Sequence, residues 1–135
     1  MSTILILDDE AAIRARVRLT LAPLGHLILE ATTADEAFRC FEETDAGLDL
    51  LITGAPSGVR VGLKLRSLLP SMRIILMLAV PLRCEEDAAE WNELPSDSII
   101  TIEKEFHPAE LIHSVRRLMG VPMVRSGVAY LACLQ

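Results

Sequence analysis

Three acids stand side by side at Asp8, Asp9 and Glu10, directly after the apolar run Ile4-Leu5-Ile6-Leu7. Adjacent carboxylates at the end of a buried segment are costly without a cation or a basic neighbour. Two of them suit a hard cation such as Mg2+, which takes oxygen ligands. The alternative is that Asp9 or Glu10 only caps the helix that follows, and on residue type alone the two readings stand level. The same acids argue against a flavin or nucleotide here, because a phosphate loop would offer Gly, Ser, Thr and free backbone N–H groups. Far along the chain, Lys104 follows a second apolar run, Ile99-Ile100-Thr101-Ile102. A lysine there can cross the top of a sheet and neutralise Asp8 or Asp9, although the commoner fate of lysine is a solvated surface.

The elements that must position these groups are legible as short apolar runs separated by helical spacing. Ile4-Leu5-Ile6-Leu7 fits a strand buried on both faces, and similar runs recur at Leu27-Ile28-Leu29, Leu50-Leu51-Ile52, Ile74-Ile75-Leu76-Met77-Leu78 and Ile99-Ile100-Thr101-Ile102. Between them, Ile13, Val17 and Leu21 repeat at helical spacing, and Gly25 closes that helix. Thr33-Ala34-Asp35-Glu36 is a capping box, with Ala37 and Phe41 on the apolar face behind it. Residues 59–69 have a helical pattern that stops at Pro70, and 85–93 suit a short acidic helix ended by Leu94-Pro95. Pro108 opens a last helix, on which Leu111, Val115 and Leu118 share a face. Strands alternating with helices predict an α/β fold: a doubly wound, five-stranded parallel sheet, flavodoxin-like, with helices on both faces. In such a sheet the chemistry sits at the carboxyl ends of the strands, which is where Asp8, Asp9 and Lys104 fall. The expected organisation is one domain over residues 1–120 and an apolar tail over 121–135.

Composition narrows the function. The net charge of −6 makes nucleic acid an unexpected partner, because phosphate binding needs a basic footprint. Arg14, Arg16 and Arg18 are read as the solvated face of a helix rather than a basic patch. Cys40, Cys84 and Cys133 have no metal-ligand spacing, and reduced thiols in a cytoplasmic protein are the simplest account. No apolar run approaches a membrane span, and a strand begins almost at Met1, so neither membrane insertion nor a signal peptide is expected.

Four blocks, taken together, resemble the receiver domain of bacterial response regulators (CheY-like): Ile4-Leu5-Ile6-Leu7-Asp8-Asp9-Glu10; His26-Leu27-Ile28-Leu29-Glu30-Ala31 with Asp35-Glu36-Ala37; Asp49-Leu50-Leu51-Ile52-Thr53; and Lys104-Glu105-Phe106-His107-Pro108-Ala109-Glu110-Leu111. The resemblance spans roughly residues 3 to 119 and implies a set of roles. Asp8 and Asp9 match the acidic pair that holds Mg2+, and Lys104 matches the lysine that contacts the phosphoryl group. The phosphoacceptor aspartate is replaced by Gly54. The hydroxyl residue ending the fourth strand is replaced by Leu78, the aromatic switch residue by Thr101, and the proline after the lysine by Glu105. The stretch from Gly54 to Pro70 is also about one helical turn short.

These departures predict an atypical member of a two-component phosphorelay. Catalytic residues and a phosphoacceptor are expected to be absent, no cofactor is expected, and Mg2+ at Asp8 and Asp9 should bind weakly or not at all. Such a domain would act by phosphorylation-independent protein–protein interaction with a sensor kinase, another regulator or an output protein. Its expected partner surface is the helix at 85–93 with Trp91, the fifth strand with Thr101, and the outer side of the last helix. The tail, with Val121, Met123, Val124, Val128, Tyr130, Leu131 and Leu134, is expected to pack on its own domain or on a second copy in a homodimer. The alternative is a flavodoxin-like cofactor-binding or enzymatic domain, against which stand the missing phosphate loop and nucleophile elbow.

Overall fold

The computed structural model describes residues 2–44, 47–54, 58–78 and 98–119. The acidic segment at 85–93, Trp91, Cys84, Cys133 and the tail at 121–135 lie outside the described residues. The elements run β1 (Thr3–Leu7), α1 (Ala11–Leu21), β2 (Leu27–Ala31), α2 (Ala34–Glu43), β3 (Leu50–Gly54), α3 (Val59–Leu68), β4 (Arg73–Leu78), β5 (Ile99–Glu103) and α4 (Pro108–Met119). All strand pairs are parallel, in the order β2-β1-β3-β4-β5.

The side-chain alternation of the strands divides the interior into two apolar layers. Ile4, Ile6, Leu50, Ile52, Ile75, Met77 and Ile102 face α1 and α4, meeting Ile13, Val17 and Leu21 from one helix and Leu111, Val115 and Leu118 from the other. Leu5, Leu7, Leu51, Ile74 and Leu76 face the opposite way, against Ala37 of α2 and Val59 and Leu65 of α3. Because both faces of β1 and β3 are covered, these strands are buried throughout, as their unbroken apolar runs require.

Not every apolar run is buried on both faces. β2 and β5 are the edges of the sheet, and Leu27 is 47% exposed while Thr101 lies open to solvent. An apolar run signals a strand, but its place in the sheet depends on which strands flank it, and that is a tertiary matter.

The local signals account for the helix ends. α1 tightens into a single 3-10 turn, Ala22–Leu24, and stops at Gly25, whose φ of 83° is the left-handed conformation that glycine adopts without steric cost. At α2, the Thr33 hydroxyl accepts from the Glu36 N–H at 3.2 Å. The Glu36 carboxylate closes the box one residue early, accepting from the Thr32 N–H at 2.6 Å rather than from Thr33. That backbone hydrogen bond holds the Glu36 carboxyl below the usual carboxylate range, against a smaller opposing effect of burial. At α4, His107 Nδ1 accepts from the Ala109 N–H at 3.1 Å, which gives this histidine a capping role.

Candidate functional site

The carboxyl ends of β1, β3 and β5 bring Asp8, Gly54 and Lys104 together. Asp8 continues the β1 ladder, its N–H donating to the Ala31 carbonyl at 3.2 Å, so its side chain stands at the top of the sheet with only 1% exposure. Its Oδ1 accepts from the Glu10 N–H at 2.9 Å. Asp8 therefore satisfies a backbone group at the start of α1. Glu10 occupies the cap position of α1 and makes no side-chain cap of its own. The capping alternative for Asp9 or Glu10 is thus corrected: the neighbouring Asp8 bonds the Glu10 N–H, leaving Glu10 free to turn outward.

Lys104 lies just past β5, anchored by its N–H to the Leu78 carbonyl at 2.8 Å. Its ammonium reaches Asp8 Oδ2 at 3.2 Å and Glu10 Oε1 at 3.2 Å, with 13% of its side chain exposed. Burial alone would disfavour the charge, but the two carboxylates beside it outweigh burial and hold the Lys104 pKa above its ordinary value. Asp8 Oδ2 takes no hydrogen bond among the described residues, so the ion pair with Lys104 is its compensation. Asp9 is exposed and forms no ion pair with the lysine among the described residues.

Arginines on α1 fasten this arrangement. Arg14 donates to the Asp8 carbonyl at 2.7 Å and pairs with Glu30 at 3.4 Å, and Arg18 pairs with Glu30 at 2.6 Å. Arg16 donates to the Phe106 carbonyl at 2.9 Å and lies 4.7 Å from the centre of the Phe106 ring. Arg16 and Arg18 are exposed, as a solvated face requires, yet each of the three also spans from α1 to a neighbouring strand end or loop. The signal that could have found them is Arg14 and Arg18, one helical turn apart, opposite the single acid in β2, Glu30.

At the end of β3, Gly54 is buried, and a Cβ there would run into the Asp8 carboxylate and sit 3.2 Å from Lys104 Cε. The Thr53 hydroxyl donates to the Gly58 carbonyl at 3.2 Å and the Gly58 N–H to the Gly54 carbonyl at 2.8 Å, which cinches the turn into α3. Two clefts flank the ion pair. One, of about 330 Å³, is lined by Glu10, Ile13, Leu78 and Glu103 to Glu105; the other, of about 320 Å³, includes Asp8, Asp9, Thr33, Gly54 and Gly58. Leu78 ends β4 half-buried, and Thr101 sits outward on β5, away from the cluster of acids.

The donor set can be tested against a divalent cation. Oxygens of Asp8, Asp9 and Glu10 lie within 4.8 Å of one another. Two of the acids, however, already face the Lys104 ammonium, Asp8 Oδ1 is held by a backbone N–H, and Gly54 offers no ligand. The Lys104 ammonium, 3.2 Å from two of these carboxylates, competes with a divalent cation for the same oxygens.

Comparison with known proteins bears on this arrangement. No protein-family model matches the chain. Over 119 residues it is 29% identical to the phosphate regulon transcriptional regulatory protein PhoB of Pseudomonas aeruginosa, an overlap of 87% of this chain and 51% of that protein. The chain thus spans about half the length of the curated relative it matches. Its fold matches a response regulator receiver protein from Sinorhizobium medicae with TM-score 0.68 and 27% identity, over 88% of this chain and 94% of that one. It also matches the signal receiver domain of an HD domain-containing protein from Pseudomonas fluorescens (TM-score 0.75, 21% identity, 88% and 87% covered). A CheY-like receiver domain from Methanospirillum hungatei gives TM-score 0.74 at 22% identity, with 89% and 94% covered.

The chain has the fold of response-regulator receiver domains, and its likeness to PhoB and to the Sinorhizobium receiver protein points the same way. These likenesses favour the receiver reading over the flavodoxin-like cofactor or enzyme alternative. Among the residues singled out in the sequence, the receiver fold gathers Asp8, Gly54 and Lys104 into one contact set. It leaves Asp9 at the rim and Thr101 on the open side of β5. Glu10 as a second partner of the lysine escaped the sequence reading, because which acid of a run of three turns toward the lysine depends on the helix start.

Proposed function

We propose that this receiver domain is silent to phosphorylation and works as a protein-binding module rather than as an enzyme. The observation that carries the reading is Gly54, buried at the end of β3 with its missing side chain directed at Asp8 and Lys104. A receiver forms its acyl phosphate when a carboxylate oxygen attacks phosphorus and the donor's leaving group departs. Glycine has no oxygen to form that bond. The same substitution withdraws a carboxylate from the acidic site, and Leu78 and Thr101 supply neither a hydroxyl to grip a phosphoryl oxygen nor an aromatic ring to follow it.

What remains is a fold with an exposed surface. β5 presents Thr101 to solvent, and α4 presents His113, Arg116 and Arg117. The partner is a protein of a two-component pathway (a sensor kinase, another regulator or an output protein), met in the cytoplasm, and a second copy of the chain is a further partner through the apolar tail. No helix among the described residues is long and apolar enough to cross a membrane. The test is mass spectrometry after incubation with acetyl phosphate. No hydroxylamine-labile adduct is expected on the wild-type chain, and an aspartyl phosphate there would overturn the reading.

A further inference from the structure

The Asp8 carboxylate leans into the volume that a side chain at position 54 would fill. A Cβ at Gly54 would overlap an Asp8 carboxylate oxygen, approach Asp8 Cγ to 3.1 Å and approach Lys104 Cε to 3.2 Å. Backbone conformation does not demand glycine there, since the positive-φ glycines among the described residues are Gly25 and Gly47. The demand is for space. We infer that Lys104 is a built-in cation locking the acidic site against an external one, and that Gly54 is the gap that lets the lock close. The inference rests on the phosphorylation-silent reading of this pocket and deepens it by naming what holds the pocket shut.

Each part of the lock has its own support. Asp8 is almost wholly buried and, among the described residues, its Oδ2 has only the ammonium to answer its charge, so withdrawing the lysine strands a carboxylate in a poorly solvated position. Glu10 contributes the second oxygen from the rim, 58% exposed, and closes the ammonium in from the solvent side. The lysine backbone is pinned through its N–H to Leu78 and through its carbonyl, at 3.4 Å, to Arg16. The side chain therefore extends from a fixed point. A divalent ion seeking the same oxygens would have to expel the ammonium first. A side chain at 54 would require the Asp8 carboxylate or the lysine stem to shift from this arrangement.

The test uses the full 15N-labelled chain with Mn2+ as the probe. Site-specific broadening of the amides of residues 8–10 is followed, with Mg2+ as competitor. Lys104→Met is expected to show this broadening at Mn2+ concentrations at least about tenfold lower than wild type, since a unit charge next to the ligands has been removed. Wild type broadened selectively, reversibly by Mg2+, at the same concentrations as the variant overturns the lock. Should Lys104→Met not fold, selective Mg2+-reversible broadening of wild type at millimolar Mn2+ overturns it alone, and its absence supports it. In a second arm, the side-chain carbon resonance of Lys104 is titrated with alkali in wild type and in Gly54→Ala. The lysine in Gly54→Ala is expected to lose its proton at lower pH than in wild type, and an unchanged titration overturns the spacer role of Gly54. Neither readout involves a phosphodonor, so failure of the lock and failure of the phosphorylation-silent reading are seen in different experiments.

Discussion

Replacing Lys104 by methionine keeps most of the side-chain stem and removes the charge. Breaking a buried ion pair by deleting one partner costs about 3–5 kcal/mol, because the other charge stays buried and uncompensated. Here the lysine keeps 13% exposure, while Asp8 keeps 1%. The Glu10 contact is 58% exposed on the acid side and adds at most about 0.5 kcal/mol. Asp8 also retains its bond from the Glu10 N–H. The expected loss is therefore about 2–4 kcal/mol, read from urea denaturation at neutral pH as a lower midpoint with an unchanged slope. Adding Asp8→Asn removes the stranded charge, so the double variant should be less destabilised than the two singles summed, with a coupling of about 1–3 kcal/mol. The pH dependence follows from the raised pKa of Lys104. The contribution is fully present below the unfolded lysine value of about 10.4 and is lost as pH rises through the higher folded value. The gap between wild type and variant should stay constant from neutral to mildly alkaline pH and close only in strong alkali. A Lys104→Met protein within about 0.5 kcal/mol of wild type at neutral pH would refute the account of Asp8 as a dependent buried charge.

Other perturbations probe the supports. Arg16→Ala removes two carbonyl contacts and the Phe106 ring contact, and should cost about 1–2 kcal/mol in urea melts, with faster amide exchange in residues 104–107. Glu36→Gln tests the α2 cap through pH: the carboxyl is held low in the folded state, so its contribution is present above the unfolded value of about 4.3 and fades as pH falls through the lower folded value. The wild-type advantage in thermal midpoint should shrink over that acid window. Gly58→Ala sets a methyl against the Thr53 hydroxyl and the Gly54 carbonyl and should lower stability by about 1–3 kcal/mol, read as a lower thermal midpoint. Ile52→Ala, in a strand buried on both faces, should lose about 2–5 kcal/mol by chemical denaturation.

Much of this architecture was legible because it is written in local patterns. The unbroken apolar run Ile4-Leu5-Ile6-Leu7 fits a strand, and Ile13, Val17 and Leu21 fit one face of a helix. Thr33 and Glu36 announce a helix start by the hydrogen bonds their side chains can reach. Strand, helix and turn alternating in this way restrict the fold to a parallel α/β sandwich, and that fold in turn restricts the chemistry to the strand ends. Asp8, Asp9 and Lys104 could thus be assigned to one region as residues that follow apolar runs, and Gly54 joined them through the resemblance to receiver domains.

Tertiary structure alone decided how they meet. That Lys104 pairs with Asp8 and Glu10 rather than Asp9 follows from the path of the chain into α1, where the Asp8 carboxylate folds back onto the Glu10 N–H and leaves Asp9 facing solvent. That Arg14, Arg16 and Arg18 also reach across from α1 as clamps depends on β2 and the β5–α4 loop lying beside α1. Exposure of Leu27 and Thr101 reflects the edge positions of β2 and β5, which a run of apolar residues cannot encode. The closeness of Gly54 to the Asp8 carboxylate is likewise a through-space fact: a missing side chain reads in sequence only as a loss, and becomes an occupied gap when a carboxylate 46 positions away in the chain leans into it. Local periodicity sets which face a residue takes within its own element, whereas contacts between distant elements are set by packing, where shape and charge are satisfied together.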